Sequence, residues 1–159
     1  MIPLSPRAMR IAWHARNLWH RLTRPITMGV RVIVLEESTP ARVLLIRHSY
    51  IGGWHLPGGG VDRNETLVEA ARREVREEVG LAIDCEPQPF GLYARFRHGA
   101  SDHVGVFVAR GWSGQPRVDG VEILEARFVA LDALPDDLSP ATRRRLDEFA
   151  GRTARAERW

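Results

Sequence analysis

The stretch that most constrains this chain is PGGGVDRNETLVEAARREVREEVGL, residues 57–81, which contains five glutamates and one aspartate. Thr66 and Glu69 form a T-x-x-E capping box, and Gly80 stands where a left-handed C-terminal cap is expected. These signals predict a helix over Thr66–Val79. Like charges three or four residues apart destabilise a helix. A physical reason is therefore needed for the three glutamates near its end, which are Glu74, Glu77 and Glu78.

Helical phase, at about 100° per residue, divides this helix into faces. The apolar face that would pack on the core contains Val68, Ala71, Val75 and Val79. The three glutamates share a face without an interleaved arginine, next to the apolar one, which predicts carboxylates at the edge of a sheet. Ionised carboxylates cost several kcal/mol each to remove from water unless they are paired, and Mg²⁺ prefers oxygen ligands. The face is therefore either a site for a hard divalent cation or an ordinary solvated surface.

The rest of the chain predicts a single α/β domain, since 159 residues suit one hydrophobic core. A further helix is predicted after Ser139, its N-cap, with Pro140 at the first helical position. Strands interleaved with helices predict a mixed sheet between helices, an α/β sandwich. The strands are predicted at Ile26–Glu36, Arg42–Tyr50, Ala82–Cys85, Gly91–Arg97, His103–Arg110 and Glu125–Ala130.

Both ends of the chain are predicted to lie outside this domain, which covers residues 26–150. Residues 1–25 are interpreted as a basic amphipathic helical extension, and residues 151–159 as a frayed polar tail. The extension could pack on the domain or on a second subunit, or it could touch a membrane surface or nucleic acid. Its contact surface in a homodimer would include Trp13, Leu18 and Trp19.

Composition excludes some classes of function. All 23 basic residues are arginine and the formal charge is only +3, which gives no argument for nucleic acid. No apolar run approaches the roughly 20 residues that span a bilayer, and no signal peptide is recognisable, so a cytoplasmic protein without a membrane span is expected. The single cysteine, Cys85, excludes an intramolecular disulfide and a cysteine zinc site. It is expected to be a small buried residue at the end of a strand.

The chain resembles the Nudix family through the complete Nudix box between Gly59 and Leu81. The fixed positions of the box are Gly59, Glu65 and the run REVREEVGL from Arg73. The segments WHLPGG before the box and EARFVALDALP after it extend the resemblance to roughly residues 27–150. Asn64 stands where the family often has glycine, and asparagine also tolerates the left-handed conformation.

The resemblance implies a Nudix-type α/β/α sandwich and hydrolysis of a pyrophosphate bond in a nucleoside diphosphate linked to another group. It implies Mg²⁺, with Mn²⁺ as the alternative ion, and a small nucleotide or nucleotide derivative as substrate. The metal ligands would be the Gly59 carbonyl, Glu74, Glu77 and Glu78. Two alternatives stay open: a Nudix-like sensor that binds a nucleotide without cleaving it, and an RNA 5′-end pyrophosphohydrolase.

The resemblance also implies roles for further residues. Arg73 and Glu65 would tie the loop to the helix, and the general base would be Glu74 or Glu77, or else Glu122 from a later loop. The other candidates are substrate contacts. The glycines let the backbone approach phosphate closely, and two arginines on strands could contact phosphate or base: Gly58, Gly59, Gly60, Arg31 and Arg47. No second motif names the nucleotide.

Overall fold

A computed structural model of the protein describes residues 26–97 and 100–159. The predicted N-terminal helix of residues 1–25, with its surface for a homodimer, lies outside the described residues. No helix within the described part is long and apolar enough to cross a membrane.

The described chain forms seven strands and two helices. The strands are β1 (Ile26–Glu36), β2 (Arg42–His48), β3 (Ala82–Ile83), β4 (Gln88–Arg97), β5 (Ala100–Ala109), β6 (Trp112–Ser113) and β7 (Ile123–Ala130). The helices are α1 (Leu67–Val79) and α2 (Pro140–Phe149). Five strands form one sheet in the order β4-β5-β1-β2-β7, with β1 and β5 parallel and the other neighbours antiparallel, while β3 pairs with β6. The predicted mixed sheet is confirmed.

Side chains of the central strands alternate between two hydrophobic clusters, one on each face of the sheet. On one face, Val32 of β1 and Leu44 of β2 pack with Val75 of α1. On the other face, Ile33 and Leu45 pack with Leu146 of α2. Because both faces are covered by a helix, the sheet is the middle layer of an α/β/α sandwich, as the sequence predicted.

A loop fills a gap between the two central strands. β1 and β2 are paired only beside their hairpin, at Leu35–Val43 and Glu36–Arg42. Farther along, the strands separate, and residues 54–61 run between them. The Val30 N–H donates to the Gly59 carbonyl at 2.9 Å, and the His55 N–H donates to the Ile46 carbonyl at 2.8 Å. The sheet therefore holds the glycine loop at its centre.

The helix α1 begins and ends as the sequence predicts. Thr66 is its N-cap, and the capping box with Glu69 is complete. Gly80 ends it in the left-handed conformation, with a φ of 70°. In the loop before the helix, Asn64 also has a positive φ, of 63°, so the asparagine adopts the conformation expected of it.

Several strand bounds differ from the predicted ones, since β2 ends at His48, β5 begins at Ala100 and β7 begins at Ile123. Three further local predictions are wrong for a physical reason. β4 begins at Gln88 rather than at Gly91, because an edge strand tolerates the missing N–H of Pro89. The short strand β6 was not predicted, since its flanking glycines indicated a break. Cys85 is exposed, because β3 already ends at Ile83 and the cysteine lies in the following turn.

The expectation of a frayed C-terminal tail is also wrong for its last residues. The Ala94 N–H of β4 donates to the Glu157 carbonyl at 2.9 Å, and the Trp159 N–H donates to the Ala94 carbonyl at 3.0 Å. Arg158 thereby pairs with Ala94 as a parallel bridge at the edge of the sheet. An edge strand offers unpaired backbone groups, which explains why a polar segment is fixed there.

Candidate active site

Gly58 forms hydrogen bonds with one side chain from the carboxylate helix and one from the central strand β1. Its N–H donates to Glu78 Oε2 of α1 at 2.7 Å, and its carbonyl accepts a hydrogen bond from the Arg31 guanidinium of β1. Gly58 has a φ of +135°, and a Cβ at this position would collide with the Val30 carbonyl. Only glycine fits here, so the loop can lie against the carboxylate helix only with this residue.

Glu78 is the most buried of the four carboxyl groups on α1. Burial raises its pKa to about 8, although the Gly58 N–H and the positive charge of Arg31 act in the opposite direction. The negative charges of Glu74 and Glu122 raise the pKa further. The fold thus holds Glu78 in a place where an ionised carboxylate lacks sufficient positive charge.

Glu74 lies directly behind the glycine loop. A Cβ at Gly59 would be 2.6 Å from Glu74 Oε1, so the missing side chain is what makes room for the carboxylate. The Glu74 side chain is 13% exposed, whereas that of Glu77 is 55% exposed. Burial also raises the pKa of Glu74. The predicted position at the edge of the sheet therefore describes Glu74 and Glu78, while Glu77 lies at the solvent rim.

Arg73 joins the loop to the helix. It donates from Nε to Glu65 Oε1 at 2.7 Å and from Nη2 to Glu65 Oε2 at 2.9 Å. Nη2 also donates to the Gly60 carbonyl at 2.8 Å. The hydrogen bonds from Arg73, together with that from the Asp62 N–H, lower the pKa of Glu65 to about 2. Arg73 and Glu65 thus form the contact that the resemblance implied.

Arg73 also reaches the glutamate face, which the helical phase did not indicate. Its Nη1 lies 2.7 Å from Glu74 Oε1 and 3.1 Å from Glu77 Oε2. The expectation that no arginine lies among these carboxylates is wrong, because a long guanidinium side chain crosses from the neighbouring phase. Within residues 26–97 and 100–159, no three acidic, histidine or cysteine side chains already form a metal cage.

Glu122 lies close enough to Glu78 for its negative charge to raise the pKa of Glu78. The Tyr50 hydroxyl donates to Glu122 Oε1 at 3.3 Å, and the Glu122 N–H donates to Asp119 Oδ1 at 3.1 Å. The negative charges of Glu122 and Glu78 both raise the pKa of Tyr50, after its burial. The loop before β7 therefore brings a carboxylate towards the site, and the role of Glu122 as a general base stays a prediction.

The two candidate arginines are placed differently. Arg31 is held by the Leu56 carbonyl at 3.2 Å and by Gly58, and burial lowers its pKa. Arg47 instead forms an ion pair with Asp137 at 2.6 Å and lies over the Trp54 ring at 4.7 Å. The structure does not bring Arg47 to the glycine loop, since its strand position points it towards the segment before α2.

Two adjoining cavities run from the glycine loop towards α2. The smaller, of about 300 Å³, is lined by Gly59 and Gly60, and the larger, of about 480 Å³, by the first turn of α2. Their volumes are those of small-molecule sites. Three of the residues that line them were not among the substrate contacts predicted from the sequence: Arg95, Phe96 and Trp159.

The sandwich fold and the glutamate helix behind a glycine loop together define a pyrophosphohydrolase of the Nudix class. The NUDIX domain model matches residues 25–149, and the chain belongs to this family. A putative 8-oxo-dGTP diphosphatase of Bacillus subtilis (strain 168) is 34% identical over 123 residues, 77% of this chain and 79% of that protein. Human 8-oxo-dGDP phosphatase NUDT18 is 35% identical over 124 residues, 74% of this chain but 36% of that protein.

A solved structure shows the same fold. The MutT NUDIX hydrolase from Burkholderia pseudomallei superposes with a TM-score of 0.69 at 30% identity, over 78% of this chain and 98% of that one. The Nudix resemblance and the sandwich architecture predicted from the sequence are confirmed.

Proposed function

We propose that this protein is a Mg²⁺-dependent hydrolase that cleaves a pyrophosphate bond in a nucleoside diphosphate derivative, with nucleoside triphosphates included. The hydrogen bond from the Gly58 N–H to Glu78 is the main support for this proposal, because it places the carboxylates of α1 next to the glycine loop. The glycines of this loop have no side chain, so a phosphate can come close to the backbone. Membership of the NUDIX family supports the same reaction class.

The donor atoms fit a hard divalent cation. Glu74, Glu77, Glu78 and the Gly59 carbonyl offer only oxygen ligands, which Mg²⁺ and Mn²⁺ both accept. The raised pKa of Glu78 marks a carboxyl group that lacks positive charge, and a bound cation would supply it. When bound, Mg²⁺ would contribute Lewis-acid polarisation of the phosphate oxygens.

The side chains around the loop have the other roles in the proposed reaction, which are to position the loop and to accept a proton. Arg31 holds the Gly58 carbonyl and offers positive charge beside the smaller cavity. Arg73 fixes the loop through Glu65 and Gly60 and acts as a positioning residue. The proton of the attacking water would be accepted by a carboxylate. The candidates for this general base are those predicted from the sequence, namely Glu74, Glu77 and Glu122.

The substrate is proposed from charge and from the relatives. Arg31 and Arg95 line both cavities, with Asp102 paired to Arg95 in the smaller one, and the two arginines suit an anionic ligand next to the glycine loop. The two relatives, an 8-oxo-dGTP diphosphatase and an 8-oxo-dGDP phosphatase, make 8-oxo-dGTP and 8-oxo-dGDP the first substrates to test. The match covers only 36% of the human protein, so the activity of that whole protein serves here only as a guide.

The test is a substrate panel with Mg²⁺, read out by chromatography of the products. It should contain 8-oxo-dGTP, 8-oxo-dGDP, the ordinary nucleoside triphosphates, ADP-ribose, NADH, dinucleoside polyphosphates, sugar nucleotides and 5′-triphosphorylated RNA. We expect at least one small nucleotide to be cleaved only when the metal is present. Turnover confined to RNA would support the RNA 5′-end alternative, and tight binding without turnover would support the sensor. Either result would overturn the proposal.

A cytoplasmic location and a homodimer remain predictions. Cell fractionation would test the first, and light scattering of the purified chain would test the second.

A further inference from the structure

The two cavities beside the glycine loop share three lining residues, Arg31, Arg95 and Trp159. They therefore form one groove that begins at Gly59 and Gly60, passes the two arginines and widens towards α2. Trp159 stands where the narrow part meets the wide part. A ligand that extends from the loop into the larger cavity would pass this side chain.

Trp159 belongs to a short segment, Glu157–Trp159, which we name the strap. Two backbone hydrogen bonds to Ala94, of 2.9 and 3.0 Å, fix the strap to the edge of β4. The Trp159 indole meets the buried Tyr93 ring edge-on, with the ring centroids 6.0 Å apart. Backbone and side chain thus hold the indole in one place.

A buried ion pair in α2 fixes the backbone of the strap and of the residue that precedes it. Arg145 is 0% exposed and Glu148 is 3% exposed, with 2.6 Å between them. A buried pair needs further hydrogen bonds to offset the loss of water. Glu148 Oε1 accepts one from the Ala156 N–H at 3.0 Å, and Arg145 Nη1 donates one to the Arg158 carbonyl at 3.1 Å. The proposed reaction does not use this pair, whose hydrogen bonds go largely to the backbone next to Trp159.

The chemistry of the larger cavity indicates an anion with a flat ring. Among the described residues that line it there are four arginines and no acidic side chain, and one of the four, Arg95, forms an ion pair with Asp102 of the smaller cavity. Phe96 and Trp159 add two aromatic rings, and Ile51 an apolar side chain. The guanidinium group of arginine binds phosphate. Aromatic side chains stack on the face of a nucleobase whatever the identity of the base.

We propose that Trp159 is a base-binding residue, whose indole forms the wall against which the base of a nucleoside di- or triphosphate binds. The phosphates then lie along Arg31 and Arg95 towards the glycine loop, and the strap sets the position of the base. This inference rests on the proposed function, because it assigns the base end of the same groove.

The test compares Trp159→Ala with the wild-type chain on two substrates, 8-oxo-dGTP and methyl triphosphate, which has no base. We expect the KM for 8-oxo-dGTP to rise about tenfold, the size of one lost base–aromatic contact, with kcat within about twofold. The kinetics of methyl triphosphate should not change. Trp159→Phe should restore most of the affinity. Leu92→Ala, an exposed residue of β4 that lines neither cavity, is the matched control.

Binding of 8-oxo-dGMP, measured by calorimetry without metal, separates this inference from the proposed function. If the wild-type chain cleaves no nucleotide but binds 8-oxo-dGMP, and Trp159→Ala weakens that binding about tenfold, the inference stands although the reaction is wrong. An unchanged KM and Kd in Trp159→Ala would overturn it, as would an equal loss with methyl triphosphate. Should Trp159→Ala fail to fold, Trp159→Leu keeps the apolar contact with Tyr93 and is judged by the same criteria.

Discussion

Arg73 holds Glu65 through two parallel hydrogen bonds, from Nε to Oε1 at 2.7 Å and from Nη2 to Oε2 at 2.9 Å. The same guanidinium donates to the Gly60 carbonyl at 2.8 Å, so one side chain joins α1 to the loop at two points. Lysine carries one compact ammonium group and cannot reproduce this planar arrangement.

Arg73→Lys is therefore expected to lower the free energy of unfolding by about 1.5–3 kcal/mol, the range for a hydrogen bond to a charged group. Urea denaturation measures this change. Arg76→Lys, at an exposed position of the same helix, should stay within about 0.5 kcal/mol. Equal effects of the two substitutions would show that the paired hydrogen bonds do not stabilise the loop.

The loop offers a second comparison between two nearby glycines. Gly58→Ala would place a Cβ against the Val30 carbonyl at a φ of +135°, whereas a Cβ at Gly60 meets nothing within 4 Å. We expect Gly58→Ala to lower Tm by several degrees, since a strained backbone conformation costs about 1–3 kcal/mol. Gly60→Ala should leave Tm nearly unchanged. Thermal unfolding of both variants is the measurement, and a tolerated Gly58→Ala would contradict the geometry of the loop.

Acid should destabilise the fold through His48. Burial, together with the positive charges of Arg31 and His55, lowers the pKa of this buried imidazole from 6.5 to about 4. The unfolded chain then binds a proton at higher pH than the folded chain does, so this contribution to stability is complete above pH 6.5 and is lost as the pH falls towards 4. In His48→Gln the decrease of Tm across this window should be smaller. Parallel Tm curves for the two proteins would refute the assignment.

Two neighbouring acidic residues of α2 should differ sharply in their effects. Glu148→Gln leaves the buried Arg145 charge uncompensated, which is expected to cost about 3–5 kcal/mol of unfolding free energy. Asp147→Asn removes an ion pair to Arg152 whose side chains are 25% and 45% exposed, and should cost about 0–1 kcal/mol. Chemical denaturation compares the two variants, and similar losses would mean that the buried pair is not the stabilising element.

The sequence predicted most of the fold because its signals are local. The capping box of Thr66 and Glu69, the Gly80 cap and the Ser139–Pro140 start of α2 each depend on residues within a few positions of one another. The alternation of β1 and the apolar face of α1 follow from side-chain periodicity. Strand ends were less well predicted, because at Gln88 pairing with β5 outweighs the local effect of Pro89.

The candidate site was predicted in part, for a related reason. The Nudix box names its own residues, so Glu65, Arg73, Glu74 and Glu78 could be placed against the glycine loop. The wide end of the groove depends on contacts between distant segments. Trp159 reaches it only because the strap pairs with β4, and a single aromatic residue in a polar tail carries no local sign of that pairing.

The assignment of the carboxylates is tested most directly by Glu78→Gln, assayed with Mg²⁺ on the best substrate of the panel. The substitution keeps the size of the side chain, and the new amide oxygen can still accept from the Gly58 N–H, so the fold should persist, as circular dichroism would show. Because the substitution removes a carboxylate from the proposed metal ligands, we expect kcat to fall by at least about 100-fold. Glu86→Gln, at an exposed position outside the box, should retain wild-type turnover. Near-normal activity of a folded Glu78→Gln would contradict the proposed metal site.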